Sequence, residues 1–154
     1  MGRFGPQYGR QVSTLVFNKV LVGADNSPTA KRAIEAATEL VQMSGGTLHI
    51  VTAFSMKKVG DLPGSAEHLT NEGDAEAALQ VLSFVAKNMG VEPILHLAAG
   101  DPAEVIVATA DKIDADLIVV GNRGMKGARR VLGSVPNSVA HGANCSVAII
   151  DTSE

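Results

Sequence analysis

Five runs of aliphatic residues recur along the chain, and none alternates between apolar and polar positions: Lys19 to Ala24, Thr47 to Phe54, Glu92 to Ala98, Asp116 to Val120 and Ser146 to Ile150. A strand that is wet on one face alternates; a strand buried on both faces reads as a continuous apolar run. The stretches between the runs change period. Ala30, Ala33, Ile34, Ala37, Leu40 and Val41 recur at helical spacing, as do Ala75, Ala78, Leu79, Leu82, Val85 and Met89. Further helices are expected from Asp101 to about Ile113 and from about Ser134 to His141. Strand and helix alternate throughout, which predicts an α/β fold with a parallel sheet covered on both faces.

The punctuation supports that reading. Asp25-Asn-Ser-Pro28 signals a turn, with Ser27 expected as N-cap and Pro28 as the first helical residue. Asp101-Pro102 repeats the pattern, and Ser134 followed by Pro136 does so near the end. Gly45-Gly46 and Gly90 stop the first two helices. Residues 1–14 lack periodicity and are expected to form a flexible leader, leaving 15–154 as one domain. The polar segment from Ser55 to about Thr70 reads as a long connector: a lid, a partner-binding loop or a tether.

Composition excludes several functions. With a net charge of −3, no Trp and 3% aromatic residues, the chain has neither the basic face nor the stacking platform of a nucleic-acid binder. No run reaches the roughly 18 apolar residues of a membrane helix, and no secretory signal is recognisable, so a cytoplasmic protein is expected. A single Cys145 gives no internal disulfide and is expected to act as a small buried hydrophobe. No two of the four histidines have metal-ligand spacing, and the metal question stays open. His49 and His96 fall inside strand runs and read as packing or surface residues.

The chemistry-bearing stretch runs from Gly121 to Ser134 and directly follows the apolar run Leu117 to Val120. Four glycines permit tight turns and close approach to a ligand, and Arg123, Lys126, Arg129 and Arg130 supply positive charge. It ends on Gly133-Ser134, where a helix begins. Backbone N–H groups at a helix N-terminus, with cations nearby, make a site for a phosphate-bearing anion. Parallel sheets bind ligands beyond the carboxyl ends of their strands where strand order reverses. Both Asp25 and the glycine segment leave such ends, and they share one crevice if their strands are neighbours. A P-loop, a nucleophile elbow and the acid cluster of a receiver domain are all missing from the sequence.

Together, Val20-Leu-Val-Gly-Ala-Asp25-Asn-Ser27, Gly100-Asp-Pro102 and the glycine segment resemble the universal stress protein family, over about Asn18 to Asp151. The motif of its ATP-binding members is Gly, two residues, Gly, nine residues, Gly, then Ser or Thr. Gly121, Gly124, Gly133 and Ser134 fit, with eight residues in place of nine between Gly124 and Gly133. The resemblance implies a Rossmann-like open sheet of order 3-2-1-4-5, similar to adenine nucleotide alpha hydrolases, and a homodimer joined through the last strand. It implies a nucleotide-binding stress-response protein of regulatory or sensor type, with ATP as ligand and Mg2+ optional. Cyclic AMP binding and weak ATPase activity are the alternatives, and no residue is assigned as catalytic. By the same resemblance, Gly23 and Ala24 lie beneath the base, Asp25 meets the ribose or adenine, and the Ala53 backbone meets adenine. Val120 and Gly121 flank the ribose, while Arg123, Gly124 and Met125 approach the phosphates. Gly133, Ser134 and Val135 present N–H groups to them; Asn122 and Pro136 complete the set.

Overall fold

The computed structural model describes residues 17–25, 27–56, 71–122 and 134–152. The expected leader, most of the connector after Met56, and Arg123, Gly124, Met125, Lys126, Arg129, Arg130 and Gly133 lie outside the described residues.

Five parallel strands form one sheet: β1 Lys19–Gly23, β2 Thr47–Phe54, β3 Ile94–Ala99, β4 Leu117–Gly121 and β5 Ser146–Ile150. Their order is β3-β2-β1-β4-β5, as the resemblance implies. Four helices connect them among the described residues: α1 Ala30–Ser44, α2 Glu72–Asn88, α3 Pro102–Ile113 and α4 Val135–Gly142. Successive side chains of β1 point to opposite layers. Val20 and Val22 join the core beneath α1 and α2 with Ile34, Leu48, Ile50 and Leu79. Leu21 joins the core beneath α3 and α4 with Val51, Ile106, Ile118 and Val139. Leu21, Ile34, Leu48, Ile50 and Ile118 are each 0% exposed, worth about 1.5–3 kcal/mol apiece relative to exposure.

Three local readings are corrected. Helix α1 starts at Ala30 with Thr29 as its cap residue, in the αR region and without a side-chain cap bond. Ser27 is not the cap: its N–H donates to the Asp25 carboxylate at 2.9 Å and its carbonyl accepts from Ala30 N at 3.2 Å. The Ser27 hydroxyl lies 3.0 Å from the Thr29 hydroxyl instead, and the Ala30 N–H is taken by the Ser27 carbonyl, so no side-chain cap forms. Strand β3 starts at Ile94 and not at Glu92. Pro93 intervenes, and proline has no N–H to give the ladder. Cys145 is half-buried and packs at the margin of the α3–α4 core, where burial raises its thiol pKa. Two caps match expectation: Asp101 accepts from Ala103 N and Glu104 N, and Ser134 from Asn137 N. No helix among the described residues is long and apolar enough to cross a membrane.

Candidate functional site

The sheet divides where β1 meets β4. Their ladder runs over three pairs, Val20 with Leu117, Leu21 with Ile118 and Val22 with Val119. Past that point each strand pairs only outward: Gly23 stays with Val51 of β2, and Val120 and Gly121 stay with Ile149 and Ile150 of β5. A cleft of about 140 Å³ opens between the diverging ends. Its walls include Gly23 at the end of β1 with Ala24 and Asp25 just after it, Val120 and Gly121 from β4, and Val135 and Pro136 from α4. Ser27, Thr29, Ala30 and Ala33 close it from the α1 side, and Pro102 and Ile106 from α3.

The base-side wall is held by the backbone. Ala24 N donates to Val51 O at 2.9 Å, and the buried Thr52 hydroxyl donates to Ala24 O at 3.1 Å. Thr52 was not anticipated as a support; its sequence signal was a polar residue between Val51 and Ala53 near the carboxyl end of an aliphatic run. Asp25 is exposed at the rim, its carboxylate accepting from Ser27 N. Ala53 is half-buried, pairs with Ala98 of β3, and is not part of the cleft wall among the described residues.

On the opposite wall, the start of α4 carries Ser134 as cap. Its hydroxyl accepts from Asn137 N at 3.3 Å, and its carbonyl accepts from Ser138 N at 3.0 Å. Accepting leaves the hydroxyl proton free to be donated, so capping and anion binding are compatible at Ser134. Pro136 offers no N–H and the Asn137 N–H is taken, so this turn presents fewer donors than an ordinary helix start. Asn122 leaves the end of β4 with its amide turned away from the cleft, toward Asp151 and Thr152.

The structure thus brings nine predicted residues to one place: Gly23, Ala24, Asp25, Val120, Gly121, Val135 and Pro136 line the cleft, Ser134 adjoins it, and Asn122 stands behind it. Among the described residues, no group of three or more His, Cys, Asp or Glu side chains is arranged to hold a metal ion.

One cluster away from the cleft was not foreseen. His49 Nδ1 and His96 Nε2 lie 2.9 Å apart on neighbouring strands β2 and β3. The ring centroids are 5.1 Å apart with planes 22° from parallel. The nitrogens therefore lie between the rings, which meet edge to edge through one N–H and one lone pair. Burial lowers both pKa values from the ordinary histidine value; the His96 ring and Lys19 add to this at His49, and Lys112 at His96.

Comparison with known proteins agrees with the fold. The universal stress protein family model matches residues 17–151. Universal stress protein YxiE of Bacillus subtilis is 32% identical over 150 residues, covering 88% of this chain and 99% of that protein. A crystal structure of a universal stress protein in complex with cAMP is 31% identical, with TM-score 0.75, over 90% of this chain and 99% of the other. The universal stress protein from Archaeoglobus fulgidus in complex with dAMP is 27% identical, with TM-score 0.65, over 89% and 100% respectively. With the motifs, the strand order and the family match in agreement, this chain belongs to the universal stress protein family.

Proposed function

We propose that the protein binds an adenine nucleotide in the β1–β4 cleft and acts as a regulatory or sensor protein in stress response, with ATP as its first ligand. The observation that carries this reading is convergence: Gly23-Ala24-Asp25 and Val135-Pro136 face each other across one cleft at the strand-order reversal. Two structurally similar family members are complexes with adenine nucleotides, cAMP and dAMP. On this reading, Gly23 and Ala24 support the base, with the Ala53 backbone reaching it from β2. Asp25 binds a ribose hydroxyl, with Val120 and Gly121 on the sugar's other side. Arg123, Gly124, Met125, Gly133, Ser134 and Val135 receive the phosphates, Ser134 through its hydroxyl proton. Micromolar binding is about −8 kcal/mol, and a helix terminus supplies only about 0.3–1 kcal/mol, so the basic residues and backbone donors must supply several charge-assisted bonds.

A second reading is cyclic AMP as the natural ligand. The glycine segment is one residue short between Gly124 and Gly133, which suits a smaller phosphate, and the relative with TM-score 0.75 is a complex with cAMP. Hydrolysis is at most slow on either reading. We further propose that residues 15–154 form the working domain, that two copies pair through β5, whose Ile149 is 40% exposed, and that the protein is cytoplasmic. Titration calorimetry with ATP and with cAMP tests the assignment. Tight ATP binding with none for cAMP sinks the cyclic reading, the converse sinks ATP, and no binding of either sinks the function. Mass spectrometry of gently purified protein identifies the nucleotide that travels with it.

A further inference from the structure

A groove of about 610 Å³ lies between β3 and the flank of α3, and it shares no lining residue with the cleft. Its volume is within the range that holds a small ligand. Ala98 on β3, with Val105 and Ala108 on α3, gives it an apolar middle. Thr109 and Lys112 are neighbours on one helix face and meet His96 at one end. Lys112 is close enough for its charge to help lower the His96 pKa. Glu104 stands at the other end, about 12 Å along the same flank.

Thr109 is the residue that marks this groove as a site. It is 8% exposed. The other buried polar residues spend their side chains within the fold: Thr38 on Ile34 O, Thr52 on Ala24 O, Ser83 on Gln80 O, Thr152 on Asn122, and His49 on His96. The Thr109 hydroxyl makes no such bond among the described residues. No side-chain N or O sealed from solvent lacks a partner among those residues, so this oxygen opens on the groove that Thr109 lines. A buried hydroxyl without a partner calls for an explanation. Charge alone would not mark a site, because Glu104 in the first turn and Lys112 in the last are where the helix dipole favours them. The bond to His49 engages His96 Nε2 and leaves the other ring nitrogen, Nδ1, for a further partner.

We propose that this groove is a second binding site, for a small molecule that carries one carboxylate on an apolar body. The carboxylate accepts from the Thr109 hydroxyl and sits against the Lys112 ammonium. The body lies along Ala98, Val105 and Ala108. Glu104, at the far end, turns away a second negative charge. The site stands apart from the nucleotide cleft and does not depend on it.

The test is NMR titration of the full chain with octanoate, octanol and octanedioate. Octanoate is expected to bind saturably, shifting amides of β3 and α3 and leaving those of Gly23 and Ala24 in place. Octanol lacks the charge and binds about tenfold more weakly, the worth of a charge-assisted bond. Octanedioate brings a second carboxylate towards Glu104 and also binds more weakly. Lys112→Gln lowers octanoate affinity about tenfold and leaves octanol within about two-fold. Thr109→Val keeps the shape and lowers octanoate affinity about five-fold. Its melting temperature equals or exceeds that of wild type, because no bond within the fold is lost. Thr109→Ser keeps the hydroxyl and the affinity. Thr109→Val that melts lower shows that the fold uses the hydroxyl, and overturns the proposal. So does a loss in Thr109→Ser equal to that in Thr109→Val. No saturable shift with octanoate, equal binding of octanol or octanedioate, or shifts centred on the cleft overturn it as well. Octanoate binding is read without nucleotide, so failure of the nucleotide reading is a separate result.

Discussion

The two ends of the central strand are built on opposite plans. Where β1 begins, backbone and side-chain bonds tie it to its neighbours. Asn18 N and Lys19 N donate to one oxygen of Asp116 at 2.9 and 2.8 Å, and Asp116 N donates to Lys19 O at 2.9 Å. Thr47 N donates to Asn18 O at 2.7 Å, and Lys19 Nζ reaches Ile113 O at 3.0 Å. Where β1 ends, its ladder with β4 has stopped and a cleft lies between them. An aspartate serves each end. Asp116 staples β4 to β1, whereas Asp25 makes a local turn at the rim of the cleft. The lower end is built to hold the sheet together and the upper end to leave room.

The largest expected effect probes the lower end. A Cβ on Gly46 would lie 2.5 Å from Asn18 O and 2.7 Å from Phe17 O, and backbone carbonyls inside a sheet margin have nowhere to go. Gly46→Ala is expected to cost about 3 kcal/mol in urea denaturation while the folded fraction keeps its nucleotide affinity. A neutral result there would mean that the lower end is as yielding as the upper.

The paired aspartates come next. Asp116→Ala removes two charge-assisted bonds at an exposed position and should cost about 1–2 kcal/mol of stability with unchanged ligand affinity. Asp25→Ala should do the reverse, costing less than about 1 kcal/mol of stability and weakening the nucleotide about tenfold, as loss of a charge-assisted bond does. If the two variants behave alike by calorimetry and denaturation, the division of labour is wrong.

The smallest effect belongs to the histidine pair. Both folded pKa values are lowered, chiefly by burial, and Lys19 and Lys112 are the charged neighbours that add to the shift. A depressed folded pKa means that the unfolded chain binds protons first as pH falls. The pair's contribution is therefore present above the ordinary histidine value and is lost as pH falls from there through the folded values. Melting temperature should decline over that window, and His96→Gln should flatten the decline. A slope equal to wild type would show that the pair does not report on acidity.

Much of this could be read from the chain alone, because continuous aliphatic runs and capping signals are local properties. Val20 to Val22 and Leu117 to Val120 announced buried strands, and Asp101 announced its helix. Ser27 misled because its hydroxyl pairs with that of Thr29 and its carbonyl takes the Ala30 N–H, within a turn that Asp25 opens. The adjacency of β1 and β4 came from the family resemblance and not from any pattern in the residues. The pairing of His49 with His96 and of Asn122 with Thr152 depends on register between strands far apart in sequence, which periodicity does not encode. Thr52 was hidden for the same reason: its partner is a carbonyl on another strand.

The three-pair ladder between Val20–Val22 and Leu117–Val119 works as a partly closed zip. One more rung, joining Gly23 to Val120, would gain a little sheet and erase the opening. Substitutions that favour extended backbone at those two residues are therefore a route by which a descendant of this chain could exchange its capacity to hold a guest for extra rigidity, with no change to its hydrophobic core.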